Sequence, residues 1–255
     1  MKQATKFFGW WLVVFLALLV CVVAPMTAFR PANSALTIEE PLRIVVVGDS
    51  ISCGGQADTA GWCPELSRLL TAAGVEHVLI PRAVGGTRCD YWAENINEIL
   101  YDTAPDVVIL GCGTNDGAAQ RTALQVQQAI ETVAYQVAVY GAQLLTGVPS
   151  YSSGQPTDRL WLPEAQHEAY NGIRAAGLFP MFDDTRMPAL LRFQIGDGVH
   201  PTPEGYKVLA HNRYNALSVI IQGLPPIPPD CMQIGHAPGE PAPLSFPCYG
   251  VPKLR

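Results

Sequence analysis

Three short strings, far apart in the chain, carry the residue types of acyl-transfer chemistry. Gly48-Asp49-Ser50 closes an unbroken hydrophobic run, Gly113-Thr114-Asn115-Asp116 closes another, and Asp197-Gly198-Val199-His200-Pro201-Thr202 follows much later. A serine hydroxyl is a poor nucleophile until a base removes its proton, and an imidazole, which titrates near neutral pH, suits that work. Ser50 and His200 fit these two roles. Asp197, three residues before the histidine, is placed to accept a hydrogen bond from the far imidazole nitrogen, fixing its tautomer and stabilising the imidazolium. The tetrahedral intermediate of such a reaction needs preorganised donors for its oxyanion. The backbone amides of Ser50 and Gly86 and the side-chain amide of Asn115 are the candidates. The set points to a serine ester hydrolase.

These residues must be brought together by the elements around them. Arg43 to Val47 is a β-branched run of the kind found in strands buried on both faces. His77–Ile80, Asp106–Leu110, Gln143–Val148 and Leu178–Phe182 read as four more strands. Helices are expected over Pro64–Ala73, Thr122–Tyr140, Pro163–Ala176 and Pro203–Ile221, from apolar spacing and from proline and glycine at their ends. Strands alternate with helices, so the expected architecture is α/β, with a mainly parallel five-stranded sheet and helices on both faces. Ligands of such sheets sit outside the carboxyl ends of the strands. Ser50, Gly85-Gly86 and Asn115 all follow strands and fall on that rim, and the loop bearing His200 can return to it. Trp92, Tyr151 and Trp161 are candidates to line the substrate pocket.

Bulk properties narrow the classes. The chain has 255 residues, is 49% hydrophobic and 15% charged, and carries a net charge of −6, which leaves no basic footprint for nucleic acid. Lys2 and Lys6 precede an uncharged run from Phe7 to Val23 that spans about 26 Å as a helix. Residues 1–34 therefore read as a signal peptide, or a membrane anchor, plus a linker, and the remainder is expected outside the cytoplasm, secreted or held at the outer membrane face. Residues 35–222 form the catalytic domain. Residues 223–255, rich in proline and without periodicity, form an irregular extension. Beyond Cys21, the six cysteines Cys53, Cys63, Cys89, Cys112, Cys231 and Cys248 fit disulfides in an oxidising compartment. Sequence neighbourhood pairs Cys53 with Cys63 and Cys231 with Cys248, leaving Cys89 for Cys112. Without a CxxC pair, or a histidine at ligand spacing from these cysteines, no metal site is expected.

The chain resembles the SGNH, or GDSL-type, hydrolase superfamily. Gly48-Asp49-Ser50-Ile51 matches its nucleophile block, Gly113-Thr114-Asn115-Asp116 its asparagine block and Asp197-Gly198-Val199-His200-Pro201 its histidine block. Val84-Gly85-Gly86-Thr87-Arg88 supplies the glycine block, although Arg82 and Ala83 stand where the family often has an asparagine. Gly85 and Gly86 both remain candidates there, with Gly86 favoured. The resemblance covers about Leu42 to Ile221. It implies a three-layer flavodoxin-like fold and hydrolysis of carboxylic esters by a cofactor-free serine mechanism. The expected substrate is an acylated glycan or lipid, with short acetyl esters on carbohydrate preferred and a monomer as the working unit. Lipase, lysophospholipase or acyltransferase chemistry on the same triad is the nearest rival. A non-catalytic glycan- or partner-binding protein is the alternative of another class.

Overall fold

In the computed structural model, residues 40–53, 61–149, 181–184, 199–221 and 223–224 are described. The elements among them are β1 (Leu42–Gly48), α1 (Cys63–Ala72), β2 (His77–Pro81), α2 (Cys89–Thr103) and β3 (Val107–Gly111). They continue with α3 (Thr114–Ala118), α4 (Ala123–Tyr140), β4 (Gln143–Val148), β5 (Met181–Asp183) and α5 (Pro203–Ile220). The strands form a five-stranded sheet in the order β2-β1-β3-β4-β5, and every adjacent pair is parallel.

The continuous apolar strands are explained by their two-sided burial. Along β1, Ile44 and Val46 point into one core with α1 and α5, while Val45 and Val47 point into the other with α2 and α4. β3 repeats the alternation, with Val107 and Ile109 on the first face and Val108 and Leu110 on the second. This is the period-two geometry of a strand sandwiched between helix layers. The expected α/β architecture with helices on both faces is the one observed.

The sequence reading omitted α2. Cys89, Trp92, Ile96, Leu100 and Thr103 are its buried residues, at spacings of three, four, four and three, and they form a helical stripe on the second core. The intervening Asp90, Glu94, Asn95 and Asn97 gave the segment a polar look that masked this period. β3 is followed, after two residues, by a short helix, α3. β5 falls at Met181–Asp183, at the end of and just beyond the expected Leu178–Phe182. The expected helix Pro163–Ala176, residues 1–34 and residues 225–255 lie outside the described residues. Among the described residues no helix is long and apolar enough to cross a membrane, and the run Phe7–Val23 lies outside them.

Candidate active site

The rim is assembled first by backbone. β1 and β3 run in register to their last residues, with Gly48 opposite Gly111. Gly48 has φ +149°, and a Cβ there would collide with the Gly111 carbonyl and the Ser52 hydroxyl. Only glycine lets the two strand ends close to this separation. The chain then turns sharply: Asp49 N–H donates to the Gly111 carbonyl at 3.0 Å, and Ser52 N–H donates back to the Asp49 carbonyl at 3.0 Å. The Asp49 carboxylate accepts from Ile51 N–H at 3.0 Å. Ser50 thus stands at the apex of a turn braced on both sides.

His200 arrives from the other end of the sequence. α5 starts three residues after it, with Thr202 as N-cap, its hydroxyl accepting from Gly205 N–H at 3.2 Å, and Pro203 in the first turn. The buried tail of α5 fixes the helix against the first core. Its start therefore delivers the imidazole to the strand rim, where Ser50 Oγ and His200 Nε2 are 2.8 Å apart. Both residues are partly exposed, as a group that must meet substrate requires.

The loop between β2 and α2 supplies the next part. Val84 N–H donates to the Gly48 carbonyl at 2.9 Å, and the Thr87 hydroxyl reaches the same carbonyl at 3.1 Å, so the loop is pinned to the end of β1. Thr87 N–H closes a turn on the Val84 carbonyl at 3.3 Å. Gly86 occupies the third position of that turn with φ +79°, and the space where a Cβ would stand is open. A type II turn demands glycine or asparagine there, which sets Gly86 apart from Gly85. Asn115, in α3, donates through Nδ2 to the Thr87 carbonyl at 3.0 Å and lies 3.5 Å from Asp49 Oδ2. The Ser50, Gly86 and Asn115 segments are thereby interlinked at one rim.

Two buried carboxyl groups underlie this rim. Burial raises the Asp49 carboxyl to about 7, against the opposing pull of the Ile51 N–H bond; Asp116 adds to the rise, while His200 and Arg213 lower it. Burial also raises Asp116, offset in part by the Cys89 N–H and by Arg121. Asp49 lies beneath the nucleophile turn, only 3% exposed, which suits a scaffold role.

Both disulfides expected in this part of the chain are present. Cys53–Cys63 ties the nucleophile turn to the start of α1 with a Cα–Cα distance of 5.5 Å, and Cys89–Cys112 ties the start of α2 to the end of β3 at 5.3 Å. They fit an oxidising compartment. One expectation is corrected. Trp92 does not line a substrate pocket: it is completely buried in the second core, as part of the stripe of α2, with Tyr91 packed edge-on against it. Asp197, Tyr151, Trp161, Cys231 and Cys248 lie outside the described residues.

Sequence reasoning missed Asp184 and Arg213. They form a buried ion pair at 2.7 Å, each side chain 3% exposed, with Asn212 Nδ2 donating to the same carboxylate oxygen at 2.9 Å. The Arg213 guanidinium also lies 4.8 Å from the centre of the Trp62 ring. This pair locks α5, and hence the helix start that follows His200, to the carboxyl end of β5. A signal was present: Arg213 interrupts the buried stripe of Leu209, Ala210, Tyr214 and Leu217, and a cation on an apolar face requires a buried partner.

Residues 46–208 match the GDSL-like Lipase/Acylhydrolase family. The esterase TesA of Pseudomonas aeruginosa is 25% identical over 186 residues, which are 70% of this chain and 89% of that protein. A crystal structure of TesA superposes with a TM-score of 0.61 at 23% identity, covering 70% of this chain and 99% of that one. An acetylxylan esterase from Geobacillus stearothermophilus, solved as a catalytic mutant, gives a TM-score of 0.60 at 15% identity, covering 72% and 97%. At these identities the structural likeness is one of fold.

Proposed function

This chain belongs to the GDSL-like lipase/acylhydrolase family and is a carboxylic ester hydrolase, and we propose that it works outside the cytoplasm through an acyl-enzyme on Ser50. The observation that carries the reading is the 2.8 Å approach of Ser50 Oγ to His200 Nε2, between residues 150 positions apart in sequence. Ser50 attacks the ester carbonyl while His200 Nε2 takes its proton. Asp197, three residues before His200 in the sequence, is assigned to the other imidazole nitrogen. The oxyanion is received by the amides of Ser50 and Gly86 and by Asn115 Nδ2. Asn115 Nδ2 carries two hydrogens: one is donated to the Thr87 carbonyl at 3.0 Å, and the other, which makes only a 3.5 Å approach to Asp49 Oδ2, is the one assigned to the oxyanion. Collapse of the intermediate expels the alcohol, protonated by His200. Water, activated by the same imidazole, then releases the acid and restores Ser50.

Short acyl esters on a carbohydrate are the assigned substrate class. No long apolar lid segment separates the motifs in the sequence, and one structure with this fold is that of an acetylxylan esterase. Residues 1–34 are assigned to export or anchoring, and the two disulfides agree with that compartment. A series of p-nitrophenyl esters from acetyl to palmitoyl, run on the protein and on Ser50→Ala, tests the reading. Maximal turnover of the acetyl ester, lost in Ser50→Ala, is the expected result. A maximum at long chains assigns a lipase instead, and hydrolysis undiminished in Ser50→Ala overturns the mechanism.

A further inference from the structure

The donors assigned to the oxyanion come from two separate loops, and the distance between those loops is set by neither alone. Gly86 follows β2, and Asn115 follows β3. Their flanking residues converge on one point, the first residue of α2. Cys89, three positions after Gly86, is bonded through its sulfur to Cys112, three positions before Asn115. The backbone N–H of the same Cys89 donates to Asp116 Oδ2 at 2.9 Å, and Asp116 is the residue next to Asn115. A third link, from Asn115 Nδ2 to the Thr87 carbonyl, runs between the donor-bearing segments themselves.

Asp116 is fully buried, so its carboxylate cannot touch a substrate. Ionised carboxyl groups are seldom buried without a specific partner, because desolvation opposes the charge. Here the compensation is directional. Oδ2 takes the Cys89 amide, and Oδ1 lies 3.5 Å from Arg121 Nε. Arg121 in turn holds Asp90, the second residue of α2, at 2.6 Å. The carboxylate therefore holds the start of α2 by one hydrogen bond, from Cys89 N–H, and draws on it by a longer electrostatic contact through Arg121, which pairs with Asp90. What this arrangement fixes is the position of the α2 start relative to α3, which is the position of Gly86 relative to Asn115.

We propose that Asp116 and the Cys89–Cys112 disulfide form a clasp that sets the spacing of the oxyanion hole, with Asp116 as a positioning residue. The proposal rests on the reading of Gly86 and Asn115 as oxyanion donors. Such donors act only when preorganised within hydrogen-bond reach of the developing charge. A displacement of about 1 Å in a catalytic group can cost roughly a hundredfold in rate. The two ties act on the same residue, so each limits the movement permitted by loss of the other. Opening both is more damaging than the product of the single losses.

Kinetics with p-nitrophenyl acetate on the full chain test this. Asp116→Ala lowers kcat about tenfold with KM within about twofold, since the lost interaction acts in the transition state. Asp116→Asn, whose amide oxygen can still accept from Cys89 N–H, recovers most of that loss. The Cys89→Ser/Cys112→Ser protein loses a similar factor, and adding Asp116→Ala to it lowers kcat by more than about a hundredfold, the excess over the product measuring the coupling. The rate at which a p-nitrophenyl phosphonate inactivates Ser50 falls in the same order, because that adduct also needs the oxyanion donors. Wild-type kcat in folded Asp116→Ala, or equal losses in Asp116→Ala and Asp116→Asn, overturns the clasp. Should Asp116→Ala fail to fold, the disulfide-free protein decides: reduced kcat at unchanged KM supports the clasp, and wild-type kcat overturns it. Asn115→Ala is the control. If it retains wild-type kcat, the oxyanion reading itself has failed; if it loses activity while Asp116→Ala does not, only the clasp has failed.

Discussion

The ends of β1 and β3 face each other across one rim, and each carries a buried aspartate and a cysteine bonded to the first residue of a helix. They are nevertheless built in different ways. At the β1 corner the residues that follow Gly48 shape the turn by bonds among near neighbours: Asp49 accepts from Ile51 two residues on, Ser52 N–H returns to the Asp49 carbonyl, and Cys53 bonds Cys63 only ten positions later. The β3 corner is tied to a different loop: Asp116 accepts from Cys89, 27 positions away, Asn115 donates to Thr87, 28 away, and Cys112 bonds Cys89, 23 away. A nucleophile needs a sharp, rigid apex, which a few local bonds provide. An oxyanion hole needs a distance between donors on two loops, which only bonds between those loops can hold.

That contrast can be broken at several points. The largest effect falls where the β1 corner meets its base: His200→Ala lowers kcat/KM by a factor on the order of 10⁴–10⁶, as in other serine hydrolases stripped of the base. Steady-state hydrolysis of p-nitrophenyl acetate measures it, and a loss below tenfold refutes the pairing. Next comes the β3 corner, where Asn115→Ala costs about 10²–10³ in kcat with little change in KM. A change confined to KM would instead make Asn115 a ground-state binding residue.

The disulfides sharpen the comparison further. Opening the local bridge with Cys53→Ser/Cys63→Ser lowers stability by about 2–3 kcal/mol in the chain-entropy model, with kcat held within a few-fold. Opening the Cys89–Cys112 bridge affects both stability and kcat. Urea denaturation alongside kinetics separates the two, and identical kinetic losses would erase the distinction between the corners.

The last effect, on stability and not on rate, concerns Asp49. Its carboxyl stands at about 7 in the fold against 3.8 ordinarily, so the folded chain binds this proton more tightly than the unfolded one. The stabilisation is full below about pH 4 and is lost as pH rises through about 7. Asp49→Asn, which keeps a neutral side chain at every pH, gains on the wild type between about pH 5 and about pH 8. Denaturation curves at the two pH values give the difference, and a gap independent of pH would remove Asp49 as its source.

The legibility of the chain follows the same division. Gly48-Asp49-Ser50 was readable because its geometry is local: an apolar strand, a glycine and a turn lie in consecutive residues. The alternation of buried strands with amphipathic helices likewise pointed to the parallel sheet, since periodicity records burial directly. α2 escaped because its apolar stripe is diluted by Asp90, Glu94, Asn95 and Asn97, and its loss sent Trp92 to a substrate pocket when it belongs to the core. The Asp184–Arg213 pair left a trace in the cation on an apolar helix face, but its partner, 29 positions away, could not be read.

The sequence by itself determined the residue types of the chemistry, the order of the motifs and the class of fold, because each depends on spacing within a single element. Tertiary structure alone supplied the 2.8 Å approach of Ser50 to His200 and the meeting, at Cys89, of the expected disulfide with the Asp116 carboxylate. It also decided that Gly86 takes the turn position which needs a glycine. Those are distances between separate loops, and a sum of local preferences along the chain does not contain them.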